Sequence, residues 1–330
     1  MLRLPPFRYL SPRSLEEAVS MLADHGPEAM LVAGGTDVYP KMRRRQFEPK
    51  VLVGLARVGS LREVRGTPTE GVSIGAGVTL TQLTRQAEIV TGYSGVVEGA
   101  EVISTPQLRN MGTIGGNLLV DTRCTYYDQT YQWRKSIGFC MKKEGSTCWV
   151  APGSPRCLAV TSTDLAPVMM SLGARLRFVG PEGERVLDAA DLYREDGIHY
   201  HTRQPGEILA EILLPPAEGW SSTYRKLRRR EAFDFPLLGV AVGLRAGTGG
   251  EIEDVRIAIG GVGSAPQLIE EATEILRGKQ PSEELIEKAA SMAFRSSKAL
   301  DNTDLIPIYR KKMAPVFVRR ALRGLLGLSP

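Results

Sequence analysis

Apolar residues first recur at helical spacing at Leu15, Ala18, Val19 and Leu22. Pro12 and Ser14 precede them, and Glu17 follows Ser14 at the interval of a capping box, so a helix is predicted to open there. Short apolar runs at 29–33 and 51–55 read as buried strands, making residues 1–57 a small β-α-β-like unit. A strand is predicted over 72–77, a short helix from Thr79, and residues 99–104 lead into the densest glycine segment, 112–117. Residues 166–172 read as a helix, while 175–179 and 208–214 alternate as strands. Pro215, Pro216 and Gly219 mark a linker. Beyond it, strands are predicted over 223–227, 240–244 and 255–259, and helices over 268–277, 282–295 and 308–326. Strands and helices mix without sustained parallel β-α alternation and without an internal repeat, so the predicted class is α+β.

Length adds a domain count. The 330 residues, 42% apolar and 24% charged, suit two or three domains, with divisions predicted at 1–57, 58–217 and 218–330. The longest apolar run, 237–244, falls far short of the roughly 20 residues of a membrane helix. The first residues, MLRLPPFRYLSPRS, lack the apolar stretch of about 7–15 residues in a signal peptide. A soluble, cytoplasmic protein is predicted. The net charge of +5 permits an anionic ligand but does not call for nucleic acid.

Two glycine loops carry candidate chemistry. Val32-Ala33-Gly34-Gly35-Thr36-Asp37 follows a strand, and Gly112-Thr113-Ile114-Gly115-Gly116-Asn117 has the same character. Glycines let the backbone approach a ligand closely, and successive amides can form an anion-binding nest. A pair of such loops, each with a threonine, suits a ligand with two phosphates; plain turns are the alternative. Gly261-Val262-Gly263 is followed by Ser264-Ala265-Pro266 and so fails the dinucleotide fingerprint, and no P-loop motif is present.

The four cysteines, Cys124, Cys140, Cys148 and Cys157, all lie within one-tenth of the chain, among six of its aromatics. An iron–sulfur cluster needs four converging thiolates and tolerates free spacing. Zinc is the main rival, although the paired C-x(2–4)-C knuckle of structural zinc sites is absent from the sequence. Disulfides are disfavoured by the predicted compartment. The residues alone leave iron–sulfur ligation, zinc ligation and roles without a metal open.

The loops, in this order and about 80 residues apart, resemble those of the flavin-binding subunits of the molybdenum hydroxylase family, which includes xanthine dehydrogenase and carbon monoxide dehydrogenase. VAGGTD is similar to the first FAD loop of the family, and LRNMGTIGGNL, residues 108–118, to the second. Ser162-Thr163-Asp164-Leu165-Ala166-Pro167 corresponds to the SDLxP segment. Tyr224-Arg225-Lys226, residues 260–266, Tyr309-Arg310 and residues 318–322 extend the resemblance over nearly the whole chain. One departure stands out: roughly 40 extra residues, about 122–161, separate GGN from SDLxP and hold every cysteine. Within the family this insertion resembles that of the flavin (β) subunit of 4-hydroxybenzoyl-CoA reductase, which carries an additional 4Fe-4S cluster.

The resemblance implies a two-lobed FAD-binding domain (lobe 1 over 1–57, lobe 2 over 58–217 with the iron–sulfur insertion) and a smaller α+β C-terminal domain over 218–330. It implies FAD diphosphate on Val32, Ala33, Gly34, Gly35, Thr36, Asp37 and Val38 and on Thr113, Ile114, Gly115, Gly116 and Asn117. Asp164 would bind a polar part of the flavin, Lys226 would lie near its ring, and Leu31 and Ser104 would line the same cleft. The four cysteines would hold the 4Fe-4S cluster. No bond-making catalytic residue is implied in this chain. The chemistry would occur at a molybdenum cofactor in a large subunit, with a small subunit carrying two 2Fe-2S clusters, in a dimer of heterotrimers. An external ferredoxin-like donor would feed electrons through the 4Fe-4S cluster and FAD for reductive dehydroxylation to benzoyl-CoA, a step in aromatic degradation. Alternatives are the flavin subunit of another molybdenum hydroxylase, of xanthine or CO dehydrogenase type, and a basic zinc-stabilised binding module.

Competing roles remain for single residues. Asp164 equally suits an N-cap for the helix that follows it, and Lys226 sits among Arg225, Arg228, Arg229 and Arg230, where most charges are solvated. His199 and His201 alternate as on one strand face and read as surface histidines. Arg43, Arg44 and Arg45 read as a solvated basic patch, with steering of an anionic cofactor or an acidic donor as the alternative.

Overall fold

The computed structural model describes residues 3–328. The chain begins with β1 (Arg8–Leu10), α1 (Leu15–His25), β2 (Ala29–Val32), α2 (Val38–Arg43) and β3 (Val51–Gly54). The strands form a parallel sheet of order β1-β3-β2, with Arg8 and Ala29 both in register with Val51. Ser14 caps α1 by accepting from the Glu17 amide at 3.2 Å, while the Glu17 carboxylate accepts from the Arg13 amide at 2.7 Å instead of closing the box on Ser14. Leu15, Ala18 and Leu22 are buried and pack with Ile208 and Ala210, which belong to a later strand, so the first sheet is fastened to the second through α1.

The second sheet collects β4 (Val64–Thr67), β5 (Gly71–Gly75), β6 (Arg175–Gly180), β7 (Gly183–Asp188) and β8 (Ile208–Leu214) in the antiparallel order β4-β5-β8-β6-β7. Between β5 and β6 run seven helices: α3 (Leu80–Leu83), α4 (Ala87–Gly92), α5 (Ser94–Glu101), α6 (Pro106–Arg109), α7 (Ile114–Leu118), α8 (Tyr131–Ser136) and α9 (Leu165–Leu172). All eight residues of α9 are buried. A helix apolar on every side must be covered on every side, and α9 lies between α5 and α7 and the sheet that follows. Each fully buried Leu, Val or Met there stabilises by about 1.5–3 kcal/mol, which makes α9 a central fastening.

The last sheet is antiparallel, order β12-β11-β10-β9, from β9 (Trp220–Leu227), β10 (Leu238–Ala246), β11 (Ile252–Gly260) and β12 (Gln267–Leu268). β10 is buried continuously from Leu238 to Leu244 because α9 packs on it together with the final helix. α10 (Glu270–Leu276), α11 (Glu283–Ser296) and α12 (Pro307–Leu325) complete the chain. Tyr224, Ala241 and Ala258 of this sheet join the core of the second unit, so the two share one apolar interior. Arg310 is fully buried and donates to the carbonyls of Leu237, Gly261 and Leu300, at 3.0, 2.6 and 3.0 Å, tying α12 to the sheet and to the loop before the helix. Among the described residues no helix is long and apolar enough to cross a membrane.

Candidate functional site

The first glycine loop turns the chain from β2 into α2. Gly35 takes φ +72°, and a β-carbon there would also meet the Tyr39 ring at 2.7 Å. Gly34 lies against the second loop: a β-carbon would collide with the Met111 carbonyl, 2.6 Å from its carbon. The loops therefore touch, although about 80 residues separate them in sequence. Among the described residues, the amides of Gly34, Gly35, Thr36 and Asp37 have no protein acceptor. Asp37 is ion-paired with Arg123.

The second loop differs in its donors. The Ile114 amide donates to Val78 at 2.9 Å, Gly115 to Ala76 at 2.9 Å, Gly116 to the Thr113 hydroxyl at 3.0 Å, and Asn117 to the Thr113 carbonyl at 2.9 Å. These amides already have partners, so among the described residues the second loop leaves only the Thr113 amide without a protein acceptor and most of the unpaired donors belong to the first loop. Asn117 instead braces the site: its Oδ1 accepts from the Thr163 hydroxyl at 2.8 Å and from the Leu165 amide at 3.0 Å. The Thr163 hydroxyl in turn accepts from the Ala166 amide at 3.1 Å. Asn117 and Thr163 thus satisfy the first amides of α9. Asp164 makes no side-chain cap hydrogen bond and has helical backbone angles, which overturns its N-cap alternative.

Asp164 and Lys226, read separately from sequence, are a buried pair, Nζ–Oδ1 3.0 Å. Lys226 is therefore not a solvated charge. It also donates to the carbonyls of Val102 at 3.1 Å and Asp234 at 2.8 Å, which commits all three of its N–H groups. Tyr224 donates its hydroxyl to Asp164 at 2.9 Å, a partner the motif Tyr224-Arg225-Lys226 carried without a role. Burial pushes the Asp164 carboxyl up against the pull of Lys226. Ser104 sits nearby at φ +50°, its carbonyl accepting from the Phe233 amide at 2.9 Å. Leu31 packs at the edge of the α1 core.

The insertion brings all four cysteines to one place. They are buried free thiols that line a single small cavity, with Tyr126, Tyr127, Met141, Lys142 and Trp149 on the same walls. Among the described residues no three His, Cys, Asp or Glu side chains converge closely enough to hold a single metal ion; the sulfurs stand around a space. Burial pushes Cys124 up to about 12 and Cys157 to about 11, and neighbouring cysteines add to both shifts. Thiolates at such positions need a cation to hold their charge. A tight turn at Cys140 accepts from the amides of Lys143 at 2.9 Å and Gly145 at 3.0 Å. Gly197, some 40 residues downstream, closes one side: a β-carbon there would strike Cys157 Sγ at 2.7 Å. Sequence spacing gave no signal for Gly197, because it lies outside the cysteine segment.

Two buried lysines connect this cavity to the first loop. Lys41 of α2 and Lys142 of the insertion each pair with Asp121 at 2.7 Å. Burial pushes the Asp121 carboxyl up, but the two ammoniums outweigh it and hold the group below its usual range.

The histidines separate. His199 is exposed, whereas His201 lies against Tyr193 and Tyr200 with its Nε2 buried and unpartnered, so the reading of both as surface histidines holds for His199 alone. Burial pushes His201 down to about 3 from 6.5. The folded protein keeps this ring neutral while the unfolded chain takes a proton near pH 6.5, so its contribution is complete above that pH and is lost as pH falls toward 3. Urea unfolding at pH 7 and 5 is expected to show about 2 kcal/mol of this loss, and His201→Phe to lack it. An equal slope in both proteins would contradict the assignment. In the 43–45 stretch, Arg43 is exposed; Arg44 faces Asp128 at 3.9 Å and its carbonyl accepts from buried Arg134 at 2.7 Å.

A parallel α/β lobe and an antiparallel lobe joined by facing glycine loops, with a third α+β unit behind them, define a two-lobed cofactor-binding protein. Residues 5–217 match the family described as the FAD binding domain in molybdopterin dehydrogenase, and residues 222–325 the CO dehydrogenase flavoprotein C-terminal domain. The chain belongs to the FAD-binding subunits of the molybdenum hydroxylase family. It is 30% identical to the carbon monoxide dehydrogenase medium chain of Afipia carboxidovorans, over 96% of this chain and 95% of that one. It is 31% identical to the aldehyde oxidoreductase FAD-binding subunit PaoB of Escherichia coli, over 79% and 83%. In structure it is similar to reconstituted CO dehydrogenase from Oligotropha carboxidovorans, with TM-score 0.80 and 29% identity over 99% and 100% of the two chains.

Proposed function

We propose that this chain is the electron-transfer subunit of a molybdenum enzyme, holding FAD at its facing glycine loops and a 4Fe-4S cluster in the cysteine cavity. The observation that carries the cluster is the convergence of four buried cysteines on one space within the FAD-binding domain. When bound, these groups supply one- and two-electron exchange. The protein's part is to bind and position. The unpaired amides of Gly34, Gly35, Thr36 and Asp37 suit a diphosphate without a charged side chain. Thr113 to Asn117 shape the opposite wall, and the Asp164–Lys226 pair, with every lysine donor committed, acts by fixing the seam where Val102 meets β9. Aromatic and aliphatic side chains around the cysteines exclude water from the cavity.

The partners in this reading are a molybdenum-bearing large subunit and a small subunit with two 2Fe-2S clusters, with an external low-potential one-electron donor. Similarity to CO dehydrogenase and aldehyde oxidoreductase subunits supports such an assembly. The substrate we favour is 4-hydroxybenzoyl-CoA, reduced to benzoyl-CoA, because the cysteine-bearing insertion resembles that of the corresponding subunit. A CO dehydrogenase-like oxidation is the second reading, favoured by 30% identity along 96% of the chain. The assembled complex is to be assayed anaerobically with 4-hydroxybenzoyl-CoA and a reduced low-potential donor, and separately with CO and an electron acceptor. Benzoyl-CoA formation supports the first reading. Turnover of CO alone overturns it in favour of the second.

A further inference from the structure

We propose that Lys142 is a positioning residue that sets the reduction potential of the group held by the four cysteines, an inference that rests on the cluster reading above. Among the described residues, Lys142 is the one charged side chain on the cavity wall. Its side chain is 6% exposed, so little solvent screens it. All three of its N–H groups are held: by Asp121 Oδ1 at 2.7 Å, the Thr122 hydroxyl at 2.8 Å and the Gly197 carbonyl at 2.5 Å. The ammonium is thus fixed in place, and two of its three anchors flank the cysteine segment itself.

The counter-charge is shared. Asp121 also pairs with Lys41, which is fully buried and lies 3.9 Å from Asp128, so Lys142 shares its carboxylate with a second ammonium and is not neutralised by a partner of its own. Tyr127, a cavity-wall residue, presents its ring to both lysines, at 4.7 and 5.1 Å. A cubane bound by four thiolates is an anion, and accepting one electron makes it more negative. A fixed positive charge in a water-poor site stabilises the reduced form more than the oxidised form, and so raises the potential. The same argument gives Asp121 the opposite sign.

The test is an anaerobic redox titration of the purified complex with dithionite, each one-electron step followed by electron paramagnetic resonance. Lys142→Gln keeps a donor for Thr122 and Gly197 but removes the charge. It is expected to lower the midpoint by at least the equivalent of a tenfold change in the reduction equilibrium, 59 mV for one electron. Lys142→Arg is expected to restore most of it, and Asp121→Asn to move it the other way. A Lys142→Gln complex with full iron and an unchanged midpoint overturns the inference while leaving the cluster reading intact. Loss of iron in both Lys142→Gln and Asp121→Asn overturns tuning in favour of a purely structural role. A parent complex with no iron at this subunit overturns the cluster reading, and this inference with it.

Discussion

Cys140→Ser in the assembled complex is expected to remove about four iron atoms per chain, the content of one cubane, while FAD remains bound. Cys140 sits at the turn that folds the insertion back on itself, accepting from the Lys143 and Gly145 amides through its carbonyl. Serine preserves those backbone bonds, so the turn survives and only the sulfur is lost. The remaining three sulfurs leave one corner of a cubane without its thiolate. The FAD loops do not depend on Cys140, since the first is anchored on β2 and α2 and the second on the segment after β5. Iron analysis with the visible spectrum reads both quantities from one sample. Unchanged iron removes Cys140 from the ligand set; simultaneous loss of flavin shows that insertion and loops fold as one unit.

Gly34→Ala is expected to have the second large effect. The new methyl group would meet the backbone carbonyl of Met111, not the pliable end of a side chain, so one loop must retreat from the other. Overpacking of this kind costs about 1–3 kcal/mol. Where the displaced backbone is itself the binding surface, that loss appears as roughly 10- to 100-fold weaker FAD retention. Gly153→Ala is the matched control, because nothing lies within 4 Å of its β-carbon position and its φ is not positive. Flavin content after gel filtration, together with titration of the stripped protein with FAD, measures the difference. Equal retention in both variants would place the diphosphate away from this loop.

Much of the fold was legible because the buried elements carry strong apolar patterns. β2, β3, β5, β8 and β10 read directly, and α9 announced itself by being apolar throughout. The strands that escaped lie at edges. β1 is three residues with two of them exposed, and β7 is a hairpin strand whose side chains are exposed or half-buried. Strands with one neighbour and a wet face need little apolar patterning. The glycine loops and the cysteine set were visible as motifs, but their internal accounting was not. That most of the second loop's amides are already paired depends on Val78, Ala76 and Thr113, and that Asn117 caps α9 depends on contacts across 46 and 48 residues. The Lys41–Asp121–Lys142 group was invisible for the same reason: three ordinary surface-type residues become a buried charge network only when α2 and the insertion close on each other.

The insertion leaves and re-enters the domain through a narrow neck. Arg123 and Val160 exchange both of their backbone hydrogen bonds, amide to carbonyl, at 2.8 and 2.7 Å. The chain enters and leaves the insertion at this one pair, while Lys142, Tyr127 and Arg134 inside it make further contacts with the rest of the domain. Lengthening such an excursion adds only about 0.6 kcal/mol of closure entropy per doubling of its length. The excursion between Arg123 and Val160 can therefore change in length without re-threading a single strand of the flavin domain, because no named strand lies within it.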